Sequence, residues 1–195
     1  MTKPKEISSK SLPQTVQCEV MDLIDVTKVE LVLKDGSQKT LEWNTASEVE
    51  MEVQISEGES VQQVIKGVLK AQKRAEDVIT GVKLTFKDNS CAPEVLKALQ
   101  GGSITLSEGD TGTFKKYSAP AAGEKIAQPK FDVNIYTDEY DEAGDFVKQI
   151  KWTFPNGKGK PVKPSFKDNE FFVAEYEIMT APSAGQSPYE ITVVE

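Results

Sequence analysis

Residues Thr80 to Gly102 constrain the fold more than any other stretch of this chain. In Thr80-Gly81-Val82-Lys83-Leu84-Thr85-Phe86-Lys87-Asp88-Asn89, apolar Val82, Leu84 and Phe86 alternate with Lys83, Thr85 and Lys87. Successive side chains of a strand point to opposite faces, so this run predicts a half-buried strand with one face on a core. After a polar turn, Cys91-Ala92-Pro93-Glu94-Val95-Leu96-Lys97-Ala98-Leu99-Gln100-Gly101-Gly102 predicts a short helix, opened by proline and stopped by paired glycines.

The same period of two recurs along the chain. Val29, Leu31 and Leu33 share one strand face, Asp35-Gly36-Ser37-Gln38 turns the chain, and Leu41 and Trp43 lie on a return strand, a hairpin. Glu48 to Ile55 is the cleanest alternation, with Val49, Met51, Val53 and Ile55 on one face and Glu48, Glu50, Glu52 and Gln54 on the other. Farther on, Phe131, Val133 and Ile135, then Ile150, Trp152 and Phe154, predict strands whose aromatic residues belong to the core. After them Asn156-Gly157 reads as a type I′ turn returning the chain to the next strand. Phe172, Ala174, Tyr176 and Ile178 define a further strand face, and Tyr189 to Val194 a last strand.

One segment departs from this period. Val61, Val64, Ile65, Val68 and Leu69 stand at i, i+3, i+4, i+7 and i+8 after the capping candidates of Ser56-Glu57-Gly58-Glu59-Ser60, which predicts an amphipathic helix with Lys66, Lys70, Lys73 and Arg74 on its solvated face. Residues 1–20 carry few apolar anchors and are expected to form an arm. Residues 101–128, rich in small and polar residues, are expected to form a long excursion with one edge strand near Ser103 to Leu106. Residues 21–195 are read as a single domain. The expected fold is mainly β, a β-sandwich or flattened barrel with one flanking α-helix and extended arm and loops.

Composition narrows the function classes. The 195 residues are 38% hydrophobic and 28% charged, and no apolar run approaches the ~20 residues that span a bilayer, so no membrane partner is expected. The N-terminus has positive charge without a following apolar stretch, unlike a secretory signal. A net charge of -8 argues against tight nucleic-acid binding, which depends on neutralised phosphates. Histidine is absent, removing the commonest general base and metal ligand. The acidic run Asp138 to Asp145 lacks the spacing of a calcium loop and reads as a solvated turn, and Asn156-Gly157-Lys158-Gly159-Lys160 lacks the spacing and following helix of a phosphate loop. The lysines from Lys148 to Lys167 surround Trp152 and Phe154, which read as core. The two cysteines, Cys18 and Cys91, read as small buried thiols. No catalytic, metal or cofactor residues are expected, and the chain is not read as an enzyme.

The strand ending in Lys87-Asp88-Asn89, the Pro93-Glu94-Val95-Leu96 helix, Gly101-Gly102, the linker Tyr117-Ser118-Ala119-Pro120-Ala121-Ala122-Gly123 and Phe154-Pro155-Asn156-Gly157-Lys158-Gly159 together resemble the major tail tube proteins of long-tailed (siphovirus- or myovirus-like) bacteriophages. The resemblance runs from about Ile79 to the C-terminus; the first third matches only in its order of elements. Phe-Lys-Asp-Asn recurs at Phe166 to Asn169, too short an echo to establish duplication.

The resemblance implies a virion subunit, made in the host cytoplasm, that forms hexameric rings stacked into a tube. Its implied partners are further copies of itself, the tape measure, terminator and baseplate proteins, with DNA passing through the lumen without specific binding. It also supplies a reason for the acidic strand face: Glu48, Glu50 and Glu52 would line the lumen and repel phosphates. A solvated outer surface accounts for the same pattern. From residue patterns alone, a small carbohydrate- or protein-binding β-sandwich is the alternative.

Overall fold

A computed structural model describes residues 21–36, 39–66, 68–107, 112–170 and 172–194. The expected N-terminal arm and Cys18 lie outside these. The protein is mainly β, and its strands β1 (Leu23–Leu33), β2 (Thr40–Trp43), β3 (Ala46–Ser56), β4 (Ser60–Ile65), β5 (Val68–Arg74) and β6 (Val78–Asp88) precede its short helix α1 (Pro93–Gln100). Then follow β7 (Ser103–Leu106), β8 (Phe114–Ser118), β9 (Phe131–Tyr140), β10 (Phe146–Gly159), β11 (Lys163–Ser165), β12 (Val173–Thr180) and β13 (Glu190–Val194).

Nine strands form one antiparallel sheet in the order β2-β1-β9-β10-β12-β6-β3, with β11 added to β12 and β13 to β10. The alternation on each strand supplies its inner face. Val29 and Leu31 of β1, Val82, Leu84 and Phe86 of β6, Phe131 and Val133 of β9 and Ala174, Tyr176 and Ile178 of β12 are all excluded from solvent. Burying these residues on one side of a twisted sheet requires the sheet to roll. Trp43, from one edge, therefore reaches Phe86 and Tyr176 across the core, with ring centroids 4.9 and 4.8 Å away. β1 comes to lie beside β3, yet no ladder joins them, so the roll stays open rather than closing into a barrel. Helix α1 packs Val95, Ala98 and Leu99 onto the same core.

Three expectations are corrected. The predicted helix over Val61 to Leu69 is the hairpin β4–β5, in which Val64 pairs with Leu69 and Ile65 with Val68. Its apolar residues fit helical spacing, but Val61, Val64, Ile65 and Val68 are β-branched and favour strands, and Gly67 weakens a helix interior. Asn156-Gly157 is a bulge inside β10 rather than a turn: the register with β9 shifts between Phe154 and Gly157, and Asn156 has φ 54°. Cys91 is exposed rather than buried. Within residues 101–128, Ser103 to Leu106 is a strand as expected, paired with β8 in a separate two-stranded sheet.

Candidate assembly surfaces

The carboxylates singled out in the sequence lie together. Glu48, Glu50 and Glu52 project from β3 on the side away from the core, opposite Lys87, Thr85 and Lys83 of β6. Glu48 accepts from Lys87 at 2.8 Å, and Glu52 lies 3.9 Å from Lys83. The row continues: Lys87 is also opposite Glu175 of β12, which is opposite Lys163 of β11, 3.3 Å away. Glu177 accepts from Lys163 and, at 3.3 Å, from Lys160. The hydrogen bond from Lys163 comes first among the causes holding the Glu177 carboxyl below its ordinary range, and Glu48 likewise raises the Lys87 ammonium above its own. Cross-strand neighbours of opposite charge thus offset the repulsion expected along β3, and the face carries interleaved charge of both signs.

On the core side of β3, Val49 and Val53 are half-buried, whereas Met51 and Ile55 remain exposed. Leu23, Val26, Val49, Met51, Leu84, Ile135, Thr137, Trp152 and Phe154 line an apolar cavity of about 200 Å³ at the mouth between β1 and β3. A larger groove of about 1040 Å³ runs between α1, β7 and the ends of β1 and β2, with Leu33, Leu41, Ala98 and Ile104 along it.

Sequence reasoning missed the most exposed apolar element. Beyond Ser56 and Val78 the β3–β6 ladder breaks, then resumes as β4–β5, a two-stranded sheet of its own. The break is tight. Gly58 donates its N–H to Asp77 at 3.0 Å, and a Cβ on Gly58 would fall 2.1 Å from the Ala75 carbonyl oxygen, a close approach only glycine permits. Past it, every described residue of β4 and β5 is exposed, including Val61 at 67% and Val64 at 57%. Six residues at ~3.3 Å each give a ribbon roughly 20 Å long. Lys66, at φ 51°, takes the left-handed conformation that tight hairpin connections use. The legible signal was Lys-Gly between two β-branched runs.

The acidic run between β9 and β10 is a turn. Asp141 Oδ1 accepts from the N–H groups of Ala143 and Asp145 at 2.9 and 2.8 Å, so this carboxylate oxygen serves the backbone. Among the described residues no group of three metal-ligating side chains converges, and no helix is long and apolar enough to cross a membrane. The lysines near Trp152 are spread over several ion pairs, Lys148 with Glu139 and Lys167 with Glu170 among them.

No family model and no curated protein matches the sequence. Among solved structures, the chain aligns with one from the anti-feeding prophage cap, the tube-terminating cap, at 12% identity and a TM-score of 0.39, over 96% of this chain and 100% of that one. A chain of the anti-feeding prophage baseplate aligns at 9% identity and a TM-score of 0.41, over 92% and 97%. A chain of the sheath/tube terminator of an extracellular contractile injection system, in its extended state, aligns at 13% identity and a TM-score of 0.38, over 89% and 99%.

Proposed function

We propose that this chain is a structural subunit of a phage-type tail tube, which assembles into sixfold rings stacked as a conduit for DNA and performs no catalysis. The observation that carries this reading is the β4–β5 ribbon. A two-stranded hairpin alone is marginal in water, and monomeric proteins rarely expose large contiguous apolar patches. A ribbon apolar at its tip and standing off the sheet gains its stability when other copies cover it. The sequence resemblance to tail tube proteins agrees with that requirement, and in this reading the face bearing Glu48, Glu50 and Glu52 lines the bore.

The test is sedimentation velocity over a wide concentration range, with electron microscopy of the concentrated protein. Wild type is expected to form rings or tubes, and Val64→Ser with Leu69→Ser to remain monomeric with an unchanged thermal transition. Globular monomers of wild type at every concentration would refute the reading.

A further inference from the structure

The ribbon and the opposite end of the charge scale meet at one edge of the molecule. Between Ser60 and Arg74 the ribbon carries Lys66, Lys70, Lys73 and Arg74 and no carboxylate, within a chain of net charge -8. β3 ends and β6 begins where the ribbon departs. Because each neighbour in the sheet is antiparallel to the next, β10 begins, β9 ends and β1 begins at that same end. There the register places Ile24 opposite Asp138, Asp138 opposite Gln149, and Gln149 opposite Val194, with Tyr140 opposite Phe146 on the same face. The Tyr140 and Phe146 rings meet edge-on at 6.2 Å, yet Phe146 is 57% exposed and Ile24 51%. Around this apolar surface stand exposed Asp22, Asp25, Glu142 and Asp145.

We propose that the β4–β5 ribbon of one copy docks on the Ile24, Tyr140 and Phe146 surface of a second copy. The inference rests on the assembly proposed above and names its two contacting halves. Apolar area on both sides supplies the driving force, and the basic ribbon against the acidic rim sets partner and orientation. Among the described residues of one molecule the ribbon's strands pair only with each other. The two halves are different patches at the same end of the sheet. Copies related by a rotation about a common axis can therefore each give a ribbon to the next, a heterologous contact that closes a ring when the rotation fits.

Charge exchange tests it. One variant carries Lys66→Glu, Lys70→Glu and Lys73→Glu; a second carries Asp22→Lys, Glu142→Lys and Asp145→Lys; a third carries all six, and Asp141 is left intact to keep the turn. Self-association is read by sedimentation, with circular dichroism and the thermal transition confirming that each variant is folded. Each set alone is expected to raise the concentration for half-association about tenfold or more, and an equimolar mixture of the two, or the sixfold variant, to restore association. If wild type associates and the folded single sets associate equally well, or neither the mixture nor the sixfold variant restores what the sets lose, the docking proposal is overturned while the tube reading stands. Association that follows the charge exchange without forming tubes supports the docking and refutes the tube. A wild type that stays monomeric overturns both.

Discussion

Asp88 and Asp168 occupy the same place in two copies of Phe-Lys-Asp-Asn, and their settings differ completely. Phe86 and Asp88 are shut off from solvent at the end of β6, whereas Phe166 is 78% exposed and Asn169 turns the chain at φ 57°. Asp88 Oδ2 accepts from Trp43 Nε1 at 2.7 Å and Thr45 Oγ1 at 2.8 Å, and Oδ1 accepts from the Ser90 N–H at 2.8 Å. The carboxylate thereby ties β2 to the far side of the roll. Asp88→Ala leaves those donors unpaired and is expected to cost about 3 kcal/mol in urea unfolding; a loss below about 0.5 kcal/mol, typical of surface sites, would contradict this. A second polar residue makes stability pH-dependent. Burial raises the Glu30 pKa, but hydrogen bonds from Lys28, Tyr136 and Asn134 outweigh it and hold the carboxyl below its ordinary 4.5. A carboxyl with a lowered pKa in the folded state contributes stability above the unfolded value, lost as pH falls through the folded one. Unfolding free energy should therefore decline below about pH 4.5 and do so less steeply in Glu30→Gln. Equal slopes for the two proteins would remove Glu30 from the account.

At the scale of elements, strands with a buried inner face were legible because one side of each is apolar: Val29 and Leu31, Val82 to Phe86, Ala174 to Ile178. The helix α1 was legible from Pro93 and the terminating glycines. The ribbon was not, because a period argument presumes a core for the apolar side, and Val61, Val64, Ile65, Val68 and Leu69 have none among the described residues. Their spacing satisfied a helix while the β-branching of Val61, Val64, Ile65 and Val68 and the Lys66-Gly67 dipeptide satisfied a hairpin. Asn156-Gly157 misled differently. A left-handed residue before glycine serves a bulge as well as a turn, and which one forms depends on the distant partners Phe131 and Thr180. Close packing supplies another element-scale prediction: a Cβ on Gly159 would fall 2.4 Å from the Leu99 carbonyl oxygen and 2.5 Å from its Cα, so this glycine lets α1 sit on β10. Gly159→Ala is expected to lose about 2 kcal/mol of stability by overpacking, measured by denaturant midpoint. An unchanged midpoint would mean that α1 is free to shift.

For the whole molecule, the open roll leaves β3 and β2 at the sheet edges with no further strand on them among the described residues, and a second apolar end at Ile24, Phe146 and the ribbon. Exposed edges and patches are liabilities in a monomer and joints in a polymer. The acidic face of β3 was legible in the sequence, but its lysine partners on β6, β11 and β12 were not, since register alone brings them together. In the assembly proposed above, copies of this chain build a hollow tube through the ribbon. A reconstruction of the concentrated protein by electron cryomicroscopy tests it most directly. Stacked sixfold rings with Val61, Val64 and Leu69 buried between copies and Glu48, Glu50 and Glu52 facing the bore are expected; protein that stays dispersed, or rings in which the ribbon remains in solvent, would contradict the proposed tube.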